Sequence, residues 1–87
     1  MKGNFINPRP LRYNITIRIA AFDRGVRRYI KKGVQEKMGV SDSTMSRWLH
    51  VRHDDSYDIP GQALLHFANY LNITMEELFN DQNDEAN

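Results

Sequence analysis

Eighty-seven residues carry twelve Lys and Arg, eleven Asp and Glu, three His and no Cys, for a formal net charge of +1. A chain of this size folds as one small domain, with a stable core too small to hide a deep active site. The lack of cysteine excludes a disulfide framework and a zinc–thiolate site. No apolar run approaches the ~20 residues of a membrane span, and the N-terminus lacks the apolar core of a signal peptide, so a cytoplasmic protein is expected.

Residues 1–13, MKGNFINPRPLRY, hold prolines at positions 8 and 10. Proline excludes helix there and favours an extended segment. Lys2, Arg9 and Arg12 make it a candidate basic arm for phosphates or an adjacent minor groove. The plainer alternative is a frayed terminus, although Phe5, Ile6 and Leu11 would gain by packing. From Asn14 onward, Ile15, Ile19, Phe22, Val26, Ile30, Val34 and Met38 recur at three- and four-residue steps, the period of a helix. Ile15, Ile17 and Ile19 also alternate, which keeps a short strand over 13–19 as a competitor. The length of the series favours helix. A break must fall inside it. The spacing predicts a first helix ending near Gly25 and a second from about Tyr29 to Met38, in which Gly33 costs about 1 kcal/mol relative to alanine. Arg27 with Lys31, and Arg28 with Lys32, sit four apart. That spacing suits a run of phosphates, or else a solvated face with unusual like-charge repulsion.

Gln35 to His50, QEKMGVSDSTMSRWLH, reads as two short helices about a tight turn. Gly39 reaches the left-handed conformation that ends a helix, and Ser41 stands where a side-chain oxygen caps the next one. Val34, Met38, Val40, Met45, Trp48 and Leu49 fall where two crossing helices bury them. That leaves Ser41, Asp42, Ser43, Thr44, Ser46, Arg47 and His50 on the outer side of the second helix. A short polar face with one arginine suits a helix laid in the major groove of DNA, so the stretch reads as a helix-turn-helix.

His50 to Ile59 is a polar connection without period, long for a helix–helix link and of a size that often carries contacts of its own. Pro60 then starts a helix, with Asp58 as its expected cap. Leu64, Phe67, Ala68 and Leu71, with Leu65 alongside, form its buried stripe. Thr74 and Glu77 fit a capping box for a last short helix completed by Met75, Leu78 and Phe79. Residues 80–87 are polar and acidic, and disorder is expected there. The predicted organisation is an arm over 1–13, a domain over 14–79 and a tail over 80–87.

Charge is strongly segregated. All twelve Lys and Arg lie between Lys2 and Arg52 against three acids, a balance of +9; from residue 53 onward stand eight acids and no Lys or Arg, −8. Such a dipolar molecule presents a basic side to phosphates and keeps its acidic end away, unless the asymmetry merely decorates a solvated surface. Arg47 is a candidate reader of guanine through bidentate hydrogen bonds, with a phosphate contact or a solvated charge as alternatives. Asp42 either accepts from a cytosine amine or favours the positive end of its helix. Arg9, Arg12, Arg27, Arg28, Lys31, Lys32 and Arg52 are the candidate phosphate contacts. There is no HExxH, nucleophile elbow or glycine-rich phosphate loop. His50, His53, Asp54 and Asp55 read as solvated loop residues more readily than as a metal cluster. No enzyme, cofactor, metal or small-molecule substrate is therefore expected.

Two separated pieces, QEKMGVSDSTMSRW and IPGQALLHFANYLNITMEELF, together resemble the Cro/CI-type (XRE-family) helix-turn-helix domains of phage repressors and bacterial regulators. The resemblance covers roughly residues 15–79. It implies an all-α, lambda-repressor-like domain of four or five helices that binds duplex DNA as a transcriptional regulator, with repression the expected role. Such domains usually act as homodimers on a two-fold operator. By position, the family's base- and phosphate-contacting sites fall on Ser41, Asp42, Ser43, Thr44, Ser46, Arg47 and His50. The chain departs from the family's pattern at Gln35, where a small residue is usual, in the length of the loop from Trp48 to Pro60, and in the negative charge of Asp42. Those departures keep open a second class of function, a protein-binding helical module that retains the fold without an operator. A dimer is expected to join through residues 54–79, where Tyr57, Ile59, Tyr70, Met75 and Phe79 cluster.

Overall fold

A computed structural model of the protein describes residues 10–80; Lys2, Phe5, Ile6 and Arg9 of the expected arm and residues 81–87 of the expected tail lie outside them. Four helices follow one another: α1 Ile15–Ala20, α2 Arg24–Met38, α3 Asp42–Leu49 and α4 Gly61–Leu71, then a single 3₁₀ turn at Glu76–Leu78. The alternating isoleucines at the start are helical, as the longer period required. The break after them falls at 21–23, before the expected Gly25. Its cause is Asp23, whose carboxylate accepts from the Val26 N–H at 3.0 Å and restarts the helix at Arg24. Gly25 and Gly33 therefore lie inside α2, which begins well before Tyr29. A Cβ at Gly33 would land on the ring and hydroxyl of Tyr70, so close packing of α4 against α2 explains a glycine in mid-helix.

The interruption also resets the helical phase, and Phe22 and Val26 end up exposed although both belong to the periodic series. Ile15 and Ile19 of α1, Ile30 and Val34 of α2, Met45 and Trp48 of α3, and Ala63, Leu64, Phe67 and Ala68 of α4 make the core, closed by Leu78. Phe67 is fully buried, so its truncation to alanine removes about 3–5 kcal/mol. Leu65, expected beside that stripe, is exposed. α4 ends on Asn72 in the left-handed conformation, with the Ile73 N–H returned to the Ala68 carbonyl at 3.0 Å. The capping box then forms as its residues require: the Thr74 N–H donates to Glu77 Oε1 at 2.8 Å and the Glu77 N–H to Thr74 Oγ1 at 3.4 Å.

Residues 10–14 are not helical, in keeping with Pro10, and they are built into the fold. The Arg12 N–H donates to the Val51 carbonyl, the Asn14 N–H to that of Leu78, and the His53 and Asn80 N–H groups to those of Pro10 and Arg12. Isolated antiparallel bridges pair Leu11 with Arg52 and Tyr13 with Phe79. Arg12, expected to reach DNA from the arm, is instead committed inward. Its guanidinium donates to the carbonyls of His53 at 2.8 Å, Asp55 at 2.9 Å and Tyr57 at 3.3 Å, and pairs with Asp58 at 3.2 Å. A polar loop of this length needs donors for its carbonyls, and Arg12 supplies them. Asp58 is accordingly not the cap of α4. It accepts from Tyr13 Oη at 2.6 Å and from the Ile59 N–H at 2.7 Å, while Pro60 takes the N-cap position, with no side-chain cap bond, one residue before the first helical turn.

The apolar groups expected to meet a partner are largely taken up within the chain. Ile59 is buried, and Tyr57, Tyr70 and Met75 pack against the core; the Phe79 ring meets Tyr13 edge-on at 5.0 Å but stays exposed.

Two outcomes follow from the Arg12 cluster. Arg12→Ala leaves loop carbonyls without their charged donor and lowers unfolding free energy by about 2–3 kcal/mol, measurable by urea denaturation. The second concerns acid. Partial burial works to raise the Asp58 carboxyl, but hydrogen bonds from Tyr13 and Ile59, together with Arg12, outweigh it and leave the group below the usual carboxylate range. A carboxylate more acidic when folded stabilises fully above its unfolded value of about 3.9 and loses that contribution as pH falls through the lower folded value. The thermal midpoints of the wild type and Asp58→Asn are expected to lie well apart at neutral pH and to converge in acid; a gap independent of pH would contradict this.

Candidate nucleic-acid interface

Because α2 starts at Arg24, one of its faces carries Arg24, Arg27, Arg28, Lys31 and Lys32 in succession, at the three- and four-residue steps of a helix. These side chains form one wall of an open groove of about 600 Å³; α3 faces them with Asp42, Met45, Ser46, Leu49 and His50, and α1 adds Thr16, Ile19 and Ala20. Thr16 also fixes the end of α3, donating to the Leu49 carbonyl at 2.6 Å. Among the described residues, Arg24, Arg27, Arg28 and Lys31 meet no acid within ion-pair distance. A row of unneutralised cations beside a polar helix is a surface for a polyanion.

The turn that aims α3 is set by local chemistry. Gly39 sits at φ 66° and ψ 40°, and the N–H groups of Gly39 and Val40 return to the carbonyls of Glu36 and Gln35. Ser41 Oγ accepts from the Thr44 N–H at 3.2 Å. Across the turn, Gln35 Nε2 donates to Asp42 Oδ1 at 2.9 Å, and Lys32 Nζ reaches the same oxygen at 3.4 Å. The long glutamine thus spans from α2 to α3 and meets the one acid of α3. The Gln35 hydrogen bond, then the Lys32 bond and charge, hold the Asp42 carboxyl below its usual range.

Ser43, Ser46, Arg47 and His50 fall at i, i+3, i+4 and i+7 along α3 and share its exposed side. His50 Nδ1 lies 2.8 Å from the Ser46 carbonyl. A carbonyl only accepts, so the proton resides on Nδ1, and Nε2 is left for another partner. Arg47 lies over the Tyr57 ring, its Cζ 4.8 Å from the centroid, and Tyr57 Oη donates to the Arg47 carbonyl at 3.4 Å. Ser41 is exposed as expected, whereas Thr44 is half-buried.

The structure thus brings Arg27, Arg28, Lys31 and Lys32 together with Asp42, Ser46 and His50. It does not bring Arg12 there, and Arg52 sits in the bridge with Leu11 rather than on the groove; Arg9 lies outside the described residues. Arg24 was missed in the sequence, because a first helix ending near Gly25 sets it apart from the four-residue pairs of Arg27, Arg28, Lys31 and Lys32. The signal was present, since Arg24 stands three and four residues before Arg27 and Arg28. Tyr57 was missed too as a support for Arg47, a contact across a loop that no local period reveals.

Compared with known families, residues 25–84 match the model of the Cro/C1-type HTH DNA-binding domain. Neither curated proteins nor solved structures provide a match. Among the described residues no helix is long and apolar enough to cross a membrane.

The bond between Gln35 and Asp42 has a direct readout. Gln35→Ala is expected to raise the Asp42 carboxyl toward the ordinary carboxylate range in an NMR titration, while the thermal midpoint stays nearly constant because the pair is exposed. An unchanged Asp42 titration would show that the amide does not hold it.

Proposed function

We propose, from the premise that the chain belongs to the Cro/C1-type helix-turn-helix DNA-binding family, that it is a sequence-specific transcriptional repressor reading duplex DNA with α3. The observation that carries this reading is the row of unneutralised cations on α2 beside the polar face of α3. An eight-residue helix is about 12 Å long and fits the major groove. With α3 there, Ser43, Ser46, Arg47 and His50 meet base edges or the near backbone. Arg24, Arg27, Arg28 and Lys31 meet the phosphates of one strand. Phosphate contacts supply affinity and register, and base contacts supply sequence preference. The excess of acid after residue 53 turns that end away from the duplex.

The working unit in this reading is a homodimer on a two-fold site, since one short helix offers few base contacts and paired helices span half-sites ~34–36 Å apart. The protein is cytoplasmic and no catalytic group, cofactor or small molecule enters the reading. Asp42 is the feature that would favour a protein-binding module instead. Its charge is offset by Lys32 and its carboxylate is engaged by Gln35, which weakens that objection to DNA.

Salt titration with duplex DNA tests the assignment. Binding must weaken steeply with salt, and replacing Arg28 and Lys31 together by alanine is expected to lower the slope of log K against log salt by about 2 on every sequence. A slope equal to that of the wild type would mean that no phosphate strand runs along α2.

A further inference from the structure

The loop after α3 contributes to the reading face a residue whose sequence position gives no hint of that role. We infer that Tyr57 sets the base preference of Arg47, holding the guanidinium so that its free edge meets a guanine. This rests on the reading of α3 as the major-groove helix.

Three observations carry it. The guanidinium lies over the Tyr57 ring, its Cζ 4.8 Å from the centroid, a cation–π contact that engages no N–H group in a hydrogen bond. Among the described residues, no hydrogen bond or ion pair involves that guanidinium. Guanine O6 and N7 require two parallel donors from such an edge. Tyr57 is also held at both ends. Its hydroxyl donates to the Arg47 carbonyl at 3.4 Å. Its own carbonyl accepts from Arg12, which also gathers the carbonyls of His53 and Asp55. The next residue, Asp58, is fixed by Tyr13, Ile59 and Arg12.

An arginine on a bare helix surface samples many rotamers, and each contact to a base must first select one. A cation–π contact with a fixed ring removes much of that freedom before DNA arrives. Tyr57 is thus a positioning residue: it acts through Arg47. Its loss removes discrimination at one base step without removing the phosphate contacts on α2.

The test is selection from randomised duplexes, followed by affinity for the selected site and for the same site with its guanine at the Arg47 step replaced. The proteins are the full-length wild type, Tyr57→Phe, Tyr57→Leu, Arg47→Ala and the Arg47→Ala/Tyr57→Leu double variant. Leucine retains apolar packing without a π face, and thermal midpoints check that each variant is folded. Tyr57→Phe is expected to keep most of the preference and Tyr57→Leu to lose about tenfold at the one step, with the salt slope unchanged. Adding Tyr57→Leu to Arg47→Ala is expected to change nothing further. Full preference in Tyr57→Leu overturns the inference. So does an equal loss on all sequences, or a further loss in the double variant. If instead the wild type shows no salt-dependent duplex binding, the assignment of α3 to DNA falls and takes this inference with it.

Discussion

A single guanidinium ties the structure together. Arg12 is the side chain at which the segment 10–14 and the loop 51–58 meet, and its guanidinium brings five N–H donors and no acceptor. Without it, three carbonyls of a polar loop would need other donors, and Asp58 would lose a counter-charge. With it, the loop has a fixed shape. Val51 is then buried, Ile59 enters the core ahead of α4, and Tyr57 stands beside the end of α3. The geometry of the face proposed to read DNA therefore rests in part on a residue near the start of the chain, held by contacts more than forty residues apart.

The charge layout is the second constraint. Five cations on one face of α2 repel one another, and helical like-charge pairs four apart each destabilise by a few tenths of a kcal/mol. The helix tolerates this because its other face is anchored: Ile30 and Val34 are buried, and Gly33 lets Tyr70 approach closely enough for its ring to meet Tyr29 edge-on at 5.4 Å. A phosphate strand would relieve the repulsion. The stripe thus costs stability in the free protein, a cost that a bound phosphate strand would offset. Asp42 fits the same scheme: Gln35 and Lys32 hold its carboxyl in the charged form, and the nearby Lys32 offsets that charge.

Much of this was legible in the residues. The turn at Gly39, the cap at Ser41, the burial of Trp48 and the box formed by Thr74 and Glu77 all follow from interactions between near neighbours, and the structure has each of them. The failures share a cause. Gly25 looked like the breaker because glycine is a weak helix former, yet Asp23 imposed the boundary by capping, and the phase of the whole basic stripe follows from that one residue. Asp58 looked like a cap because it precedes Pro60, but Tyr13 and Arg12, distant in sequence, compete for its oxygens and win. Gln35 and Asp42 each looked like an anomaly when read singly; they are one hydrogen bond. Tyr57 read as a partner-facing aromatic because nothing local connects it to Arg47.

In the proposed complex α2 and α3 act as one surface toward duplex DNA while α4 and the closing turn stay clear of it. Amide chemical-shift mapping during titration with a duplex measures this directly. Perturbations are expected to concentrate over residues 24–32 and 41–50, with small changes in α4 and at Glu76–Leu78. Perturbations centred on α4 and the acidic end, with the α2 face silent, would contradict that arrangement.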